Sequence, residues 1–224
     1  MPGLIALSGG IDRSPARARQ AWEDSMLRQV EVLRDDIRRR GLQTVAAASG
    51  ADLTLEGLTL LYWGDTIRVS FPELSAHRSE GDAACSTFDT AMLLYYLHRA
   101  DGTAPSGEWI GFRQLPDGAF YHQAFQGYSG DRIAQAFAEN HEAFASAMHR
   151  LSGEPLPALG SLAFGVRPLP LIRLAAVLWP GDEDLSSRAA VLFDSAASHH
   201  LPTDGLALLG SGLVGRLLRS SSAG

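Results

Sequence analysis

Three carboxylates in a row, Asp182, Glu183 and Asp184, follow a Pro-Gly step at the end of the apolar run Leu174 to Trp179. Carboxylates are hard oxygen ligands for divalent cations and ready acid/base groups. A further acid, Asp194, closes the next apolar run, and the pair His199-His200 comes just after it. Asp182, Glu183, Asp194 and His199 therefore form a candidate divalent-metal set of the kind that activates water for hydrolysis. The local alternative is a turn, in which Asp182 caps the next element or closes the Pro-Gly step through its side chain. Adjacent carboxylates fan out, so at most two of the three could share one cation. Adjacent histidines point about 100° apart on a helix and to opposite faces of a strand, so His199 and His200 are awkward as joint ligands.

The densest chemical stretch is "GEWIGFRQLPDGAFYHQAF", residues 107 to 125. Arg113 among aromatic rings is suited to a carboxylate or phosphate, or to stacking. Tyr121 and His122 could ligate a metal or move a proton. The plainer alternative puts Trp109 and Phe112 in the core and pairs Arg113 with a buried acid such as Asp194. One concrete cofactor for such a stretch is a tetrapyrrole, with Trp109 and Tyr121 against the macrocycle, His122 or His98 reaching its metal and Arg113 holding a propionate.

Other motif-like strings are weak. "GSGLVG" at 210 to 215 matches G-x-G-x-x-G but lacks a preceding strand and an acid about 20 residues on, so its glycines read as close helix packing. No G-x-S-x-G and no H-E-x-x-H occurs. Cys85 is the single cysteine, which excludes an internal disulfide and a Cys-cluster metal site; it reads as a small packed residue near a helix start. All 19 basic side chains are Arg, which excludes Schiff-base and P-loop lysine chemistry.

The elements that must position these residues follow from periodicity. Ser14-Pro15 starts a first helix whose stripe is Trp22, Met26, Val30, Leu33 and Ile37, with acid–base pairs Asp24–Arg28, Asp35–Arg39 and Asp36–Arg40, and Gly41 ends it. Leu58, Leu60 and Tyr62, then Ile67, Val69 and Phe71, alternate as a hairpin about Gly64-Asp65. "STFDTAMLLYYLHRADG" predicts a buried helix. Ile133, Phe137, His141, Phe144, Met148 and Leu151 predict one long amphipathic helix ending at Gly153. Residues 161 to 179 predict two strands broken by Pro168 and Pro170, and Thr203 or Asp204 caps a last helix reaching Leu218. Strands and helices mix without a regular repeat, so the expectation is an α+β fold with helices on a small, largely antiparallel sheet. It is one domain over residues 14–219, with flexible segments at 1–13 and 220–224.

The chain has 224 residues and a net charge of −6. That length buries enough surface for a core without staples. The charge argues against a nucleic-acid partner, no segment has the ~18 apolar residues of a membrane helix, and no signal peptide is evident, so the expected place is the cytoplasm.

Two strings together carry a resemblance. W-I-x-F-R-x-L-P-x-G-x-x-Y stands here as Trp109 to Tyr121. W-x-G-D-E with L-F-D and L-P-T-[DE] stands as Trp179 to Glu183, Leu192 to Asp194 and Leu201 to Asp204. They resemble a bacterial and archaeal family catalogued only as a domain of unknown function, frequent in anaerobes and in some members joined to iron–sulfur modules. Gly111 and Asp184 stand where that pattern has Ser and Glu. The resemblance implies a single domain and, by association, redox or one-carbon metabolism; it brings no assigned catalytic residue. The sequence thus leaves three roles: a small-molecule or cofactor-binding accessory, a metal-dependent hydrolase at the acidic turn, or an interaction subunit using the Arg-rich first helix on a protein partner.

Overall fold

The computed structural model describes residues 29–182 and 184–222. Of the expected first helix, α1 covers Val30–Arg40 with Leu33 and Ile37 buried; Trp22, Met26 and the Asp24–Arg28 pair lie outside the described residues. Gly41, at φ +79°, ends it, and a short α2, Leu42–Ser49, follows at once. The surface ion pairs are three residues apart rather than four: Glu31 with Arg34, Asp35 with Arg38, and Asp36 with Arg39. Both spacings place side chains on one helix face. Arg40 turns away from the row and donates to the carbonyls of Leu97, His98 and Ala100, capping another helix.

The α+β class is as expected, with the strands in two antiparallel sheets. The first runs in order β1 (Asp52–Leu53), β2 (Gly57–Tyr62), β3 (Asp65–Ser70), β4 (Ala76–Arg78). Tyr62 pairs with Asp65, so the hairpin turn is Trp63-Gly64, one residue earlier than the pattern suggested. Both turn residues have positive φ, 53° and 90°, the twist that two-residue hairpins require. β3 stops at Ser70 and leaves Phe71 exposed.

The buried helix is α3, Thr87–Arg99. Ser86 caps it by accepting from the Asp89 amide at 3.0 Å, and Ala91 to Leu97 are buried without a break. Its Tyr96 hydroxyl donates to the Ser49 carbonyl and accepts from the Leu171 amide at 3.1 Å, tying α2 to the second sheet.

That second sheet has order β5-β9-β8-β7-β6: β5 (Trp109–Gly111), β6 (Glu154–Pro155), β7 (Ala163–Leu169), β8 (Ile172–Trp179) and β9 (Arg188–Asp194). Pro168 lies inside β7, where the ladder shifts register between Val166 and Leu169. A proline cannot donate to a ladder, so it sits at the irregularity. Its carbonyl accepts from the Trp63 amide at 2.9 Å, joining the two sheets.

After β5 come a 3-10 turn at Phe112–Gln114, a second at Gly118–Phe120, then α4 (His122–Tyr128) and α5 (Gly130–Phe137). The long helix expected after Asp131 is two. It breaks before α6 (His141–Arg150), because Asn140 leaves helical backbone and its side chain accepts from the Ala143 amide at 2.9 Å. Asn competes for backbone donors this way and favours caps over helix interiors. A 3-10 turn at Ser195–His199 leads from β9 to α7, Thr203–Ser222.

The buried side chains form one contiguous cluster spanning both sheets. At its centre Phe112 stacks on Phe125 with centroids 4.3 Å apart, and Phe193 meets both at 6.1 and 5.7 Å. The G-x-G-x-x-G string lies inside α7, and a Cβ at Gly210 would stand 2.7 Å from the Phe125 ring. Its glycine is there for close packing, as read from the sequence. Among the described residues no helix is long and apolar enough to cross a membrane.

Candidate functional site

β5 lies on the end of β9, with Trp109 opposite Asp194 and Ile110 opposite Phe193. The alternation puts Phe193 into the aromatic layer and turns Asp194 to the opposite face. Phe112 anchors the following chain, which folds back tightly: the Leu115 amide donates to the Phe112 carbonyl and the Gly118 amide to the Leu115 carbonyl. A Cβ at Gly118 would come 2.0 Å from the Phe112 carbonyl oxygen, so only glycine fits. Asp117 beside it adopts the left-handed conformation at φ +58°. The turn delivers Phe120 and Tyr121 to the surface, 83% and 49% exposed.

Asp194 is buried, and its carboxylate accepts from the Ser106, Gly107 and Ala196 amides and the Ser106 hydroxyl, all between 2.8 and 3.0 Å. Burial pushes its pKa up, but the backbone donors outweigh it and hold it below the ordinary carboxylate value. Two further side chains clip the same irregular loop. His199 Nδ1 lies 2.8 Å from an Asp101 carboxylate oxygen, and the bond to His199 holds Asp101 well below the usual carboxylate range. His200 is buried; its Nε2 donates to the Thr103 carbonyl at 2.9 Å, while its Nδ1 has no partner.

Burial holds the His200 pKa below 6.5. The sign follows. Below pH ~6.5 the unfolded chain binds a proton that the folded chain resists, so stability falls as the pH drops from 6.5 toward the folded-state pKa. Asp101 and Asp194, whose pKa values are depressed, lose their contribution only below about pH 4, a separate window. Urea midpoints at pH 7 and 5.5 should therefore drop for the wild type and drop less for His200→Gln. Equal drops in both proteins would assign the effect to another group.

The loop after β5 and the segment from the end of β9 into α7 enclose a cleft of about 360 Å³. Pro116, Asp117 and Tyr121 form one wall; Ser198, Leu201, Pro202, Thr203 and Asp204 form the other; Arg99 closes one end. The walls are cross-linked. Thr203 Oγ1 donates to the Pro116 carbonyl, and Arg99 Nε to the Ser198 carbonyl at 3.2 Å. The lining mixes Pro116, Leu201 and Pro202 with three charged side chains, Arg99, Asp117 and Asp204, and the size is in the range of small-molecule sites.

The residues singled out in the sequence have dispersed fates. Tyr121 lines the cleft. Trp109 is half-buried under the Arg173 guanidinium, 5.4 Å from its ring. Arg113 is exposed and does not pair with Asp194, whose bonds come from the loop amides. His122 Nδ1 donates to the Ala119 carbonyl, and His98, in the last turn of α3 next to Arg99, places its Nε2 3.1 Å from Asp36 of α1. Of Arg113, Tyr121, His122, His98 and Trp109, the lining of this cleft includes Tyr121 and none of the other four.

Asp182 is engaged by local backbone bonds. The Asp182 carboxylate accepts from the Asp184 and Leu185 amides at 3.0 and 2.9 Å, and the Asp182 amide donates to the Leu185 carbonyl. Glu183 lies outside the described residues. Asp182 precedes β9 and Asp194 ends it, so the strand separates them by about 20 Å at ~3.3 Å per residue. His199 turns to Asp101. Among the described residues no three His, Cys, Asp or Glu side chains gather as metal ligands.

Sequence reasoning missed Arg99, Asp117, Ser198 and Thr203 as lining residues. The signal was present in part: the Pro-Asp-Gly turn and the L-P-T-D string both lie within the family-like motifs, read there as a turn and a cap.

No curated protein and no solved structure matches the chain. The family model described as a domain of unknown function, DUF3786, matches residues 41–216, which takes in both sheets, the cleft and most of α7. The chain belongs to that family.

Proposed function

We propose that this protein binds a small molecule in the cleft between the Leu115–Tyr121 turn and the Ser195–Asp204 segment, as a binding accessory rather than a metal-dependent hydrolase. The observation that carries the reading is the meeting of two distant motif strings around one concavity, with Tyr121 from one and Leu201 to Asp204 from the other. The dispersal of Asp182, Asp194 and His199 argues against the hydrolase. A setting in redox or one-carbon metabolism is what the family resemblance suggests.

Thermal unfolding against class-by-class mixtures of amino acids, amines, carboxylates, nucleotides and sugars tests it. A ligand at 100 times its Kd adds about 2.7 kcal/mol, which raises Tm by roughly 5–10 °C in a domain of this size. One class should raise Tm in the wild type and fail to do so in Tyr121→Ala and Thr203→Val. A rise that survives both substitutions, or no rise with any class, would contradict the reading.

A further inference from the structure

The charges around the cleft differ in how far the fold already engages them. Asp204 sits in the first turn of α7, where a carboxylate complements the helix dipole, and its side chain accepts from the Gly205 amide at 2.9 Å. Arg99 gives Nε to the Ser198 carbonyl, and among the described residues no carboxylate lies within salt-bridge distance of its guanidinium. Its two terminal nitrogens keep the planar fork that matches a carboxylate. Asp117 is exposed, and among the described residues its carboxylate has neither an ion pair nor a hydrogen bond. One cation and one anion thus line the same cleft without an ion-pair partner among the described residues. Between them lie Pro116, Leu201, Pro202 and the half-exposed Tyr121 ring.

A ligand of one charge sign would leave the opposite group desolvated and unpaired, which costs binding energy. A polyanion such as a nucleotide would also meet both Asp117 and Asp204, like charges that repel it. A molecule carrying an ammonium, a carboxylate and an apolar body satisfies the whole lining. We propose, resting on the reading of this cleft as a ligand site, that it selects α-amino acids with apolar side chains. Arg99 takes the carboxylate, Asp117 the ammonium, and Tyr121 with Pro116 and Pro202 the side chain.

Asp117 allows function to be separated from folding. At φ +58° an L residue is strained and glycine is not, so Asp117→Gly keeps or raises stability while it deletes the carboxylate.

The experiment is calorimetric titration of the full chain with leucine, phenylalanine and methionine. Two truncated probes run beside leucine: 3-methylbutylamine, which lacks its carboxylate, and 4-methylpentanoate, which lacks its ammonium. Charge-assisted bonds at each end predict that leucine, or whichever of the three binds best, exceeds the corresponding truncated probes by at least about tenfold. Arg99→Gln should erase the advantage over the amine. Asp117→Gly should erase the advantage over the carboxylate, with Tm unchanged or higher. Truncated probes that bind as well as the amino acid, or discrimination that survives both substitutions, overturn the proposal, as does failure of all three amino acids. If those fail while nucleotides or sugars raise Tm in a Tyr121-dependent way, the cleft remains a ligand site and only the class is wrong. If no compound binds, both readings fall.

Discussion

Replacing Asp194 with Ala is expected to destabilise the protein by about 3–5 kcal/mol, the range for removing one partner from a buried charged network. Its carboxylate is the common acceptor for three backbone amides and one hydroxyl, and three of those four donors belong to Ser106 and Gly107. That loop has no regular secondary structure, so without the carboxylate its amides must find water or stay unpaired. The loss should be local as well as global. Hydrogen exchange at Ser106 and Gly107 should rise far more than exchange in β8. Asp194→Asn keeps one acceptor oxygen but turns an amide group toward a donor, so it should fall between wild type and Ala. A urea midpoint for Asp194→Ala within 1 kcal/mol of wild type would show that the loop is held by something else.

Phe193→Ala should cost a similar amount, about 3–5 kcal/mol, through a different mechanism. The Phe193 ring is wholly buried and borders both Phe112 and Phe125. On the α7 side its neighbour is Gly210, which offers no side chain to fill the space left behind. A rigid wall of glycine backbone and stacked rings collapses poorly, so the cavity should persist. The effect should reach the cleft, since Phe112 anchors the turn that carries Asp117 and Tyr121. In Phe193→Ala the ligand-induced rise in Tm should shrink even where the protein is folded. An unchanged rise would mean that the turn holds its shape without the aromatic layer.

Legibility in the sequence followed the range of the interactions. α3 was legible because Ser86 caps it and its apolar run is unbroken, both local features. So was the Pro-Gly-Asp turn, where Asp182 bonds to amides two and three residues on. The break at Asn140 was hidden because the hydrophobic period continues through it, while the cap depends on one side chain competing for the backbone. The Trp63-Gly64 turn was misplaced by one residue because a bulky aromatic at positive φ is a rare choice. Trp63 tolerates it where its amide reaches the Pro168 carbonyl and its ring lies under the Arg216 guanidinium at 4.2 Å. The candidate site suffered most. Arg99 and Ser198 are far apart in the chain and meet through one side-chain bond, and no periodicity encodes such a contact. Asp194 was a candidate metal ligand on the strength of its place at a strand end, and the loop donors of Ser106 and Gly107 that its carboxylate accepts from lie 88 and 87 residues away in the chain, beyond the reach of any local pattern.

The most direct test of the cleft as a ligand site is an amide correlation spectrum of isotope-labelled protein titrated with leucine, phenylalanine and methionine. The prediction is a set of shifts confined to the cleft walls: Asp117, Gly118, Tyr121, Ser198, Thr203 and Asp204. Shifts centred elsewhere, on the first sheet or the acidic turn, or an unperturbed spectrum with those amino acids and with every other class of compound tried, would contradict it.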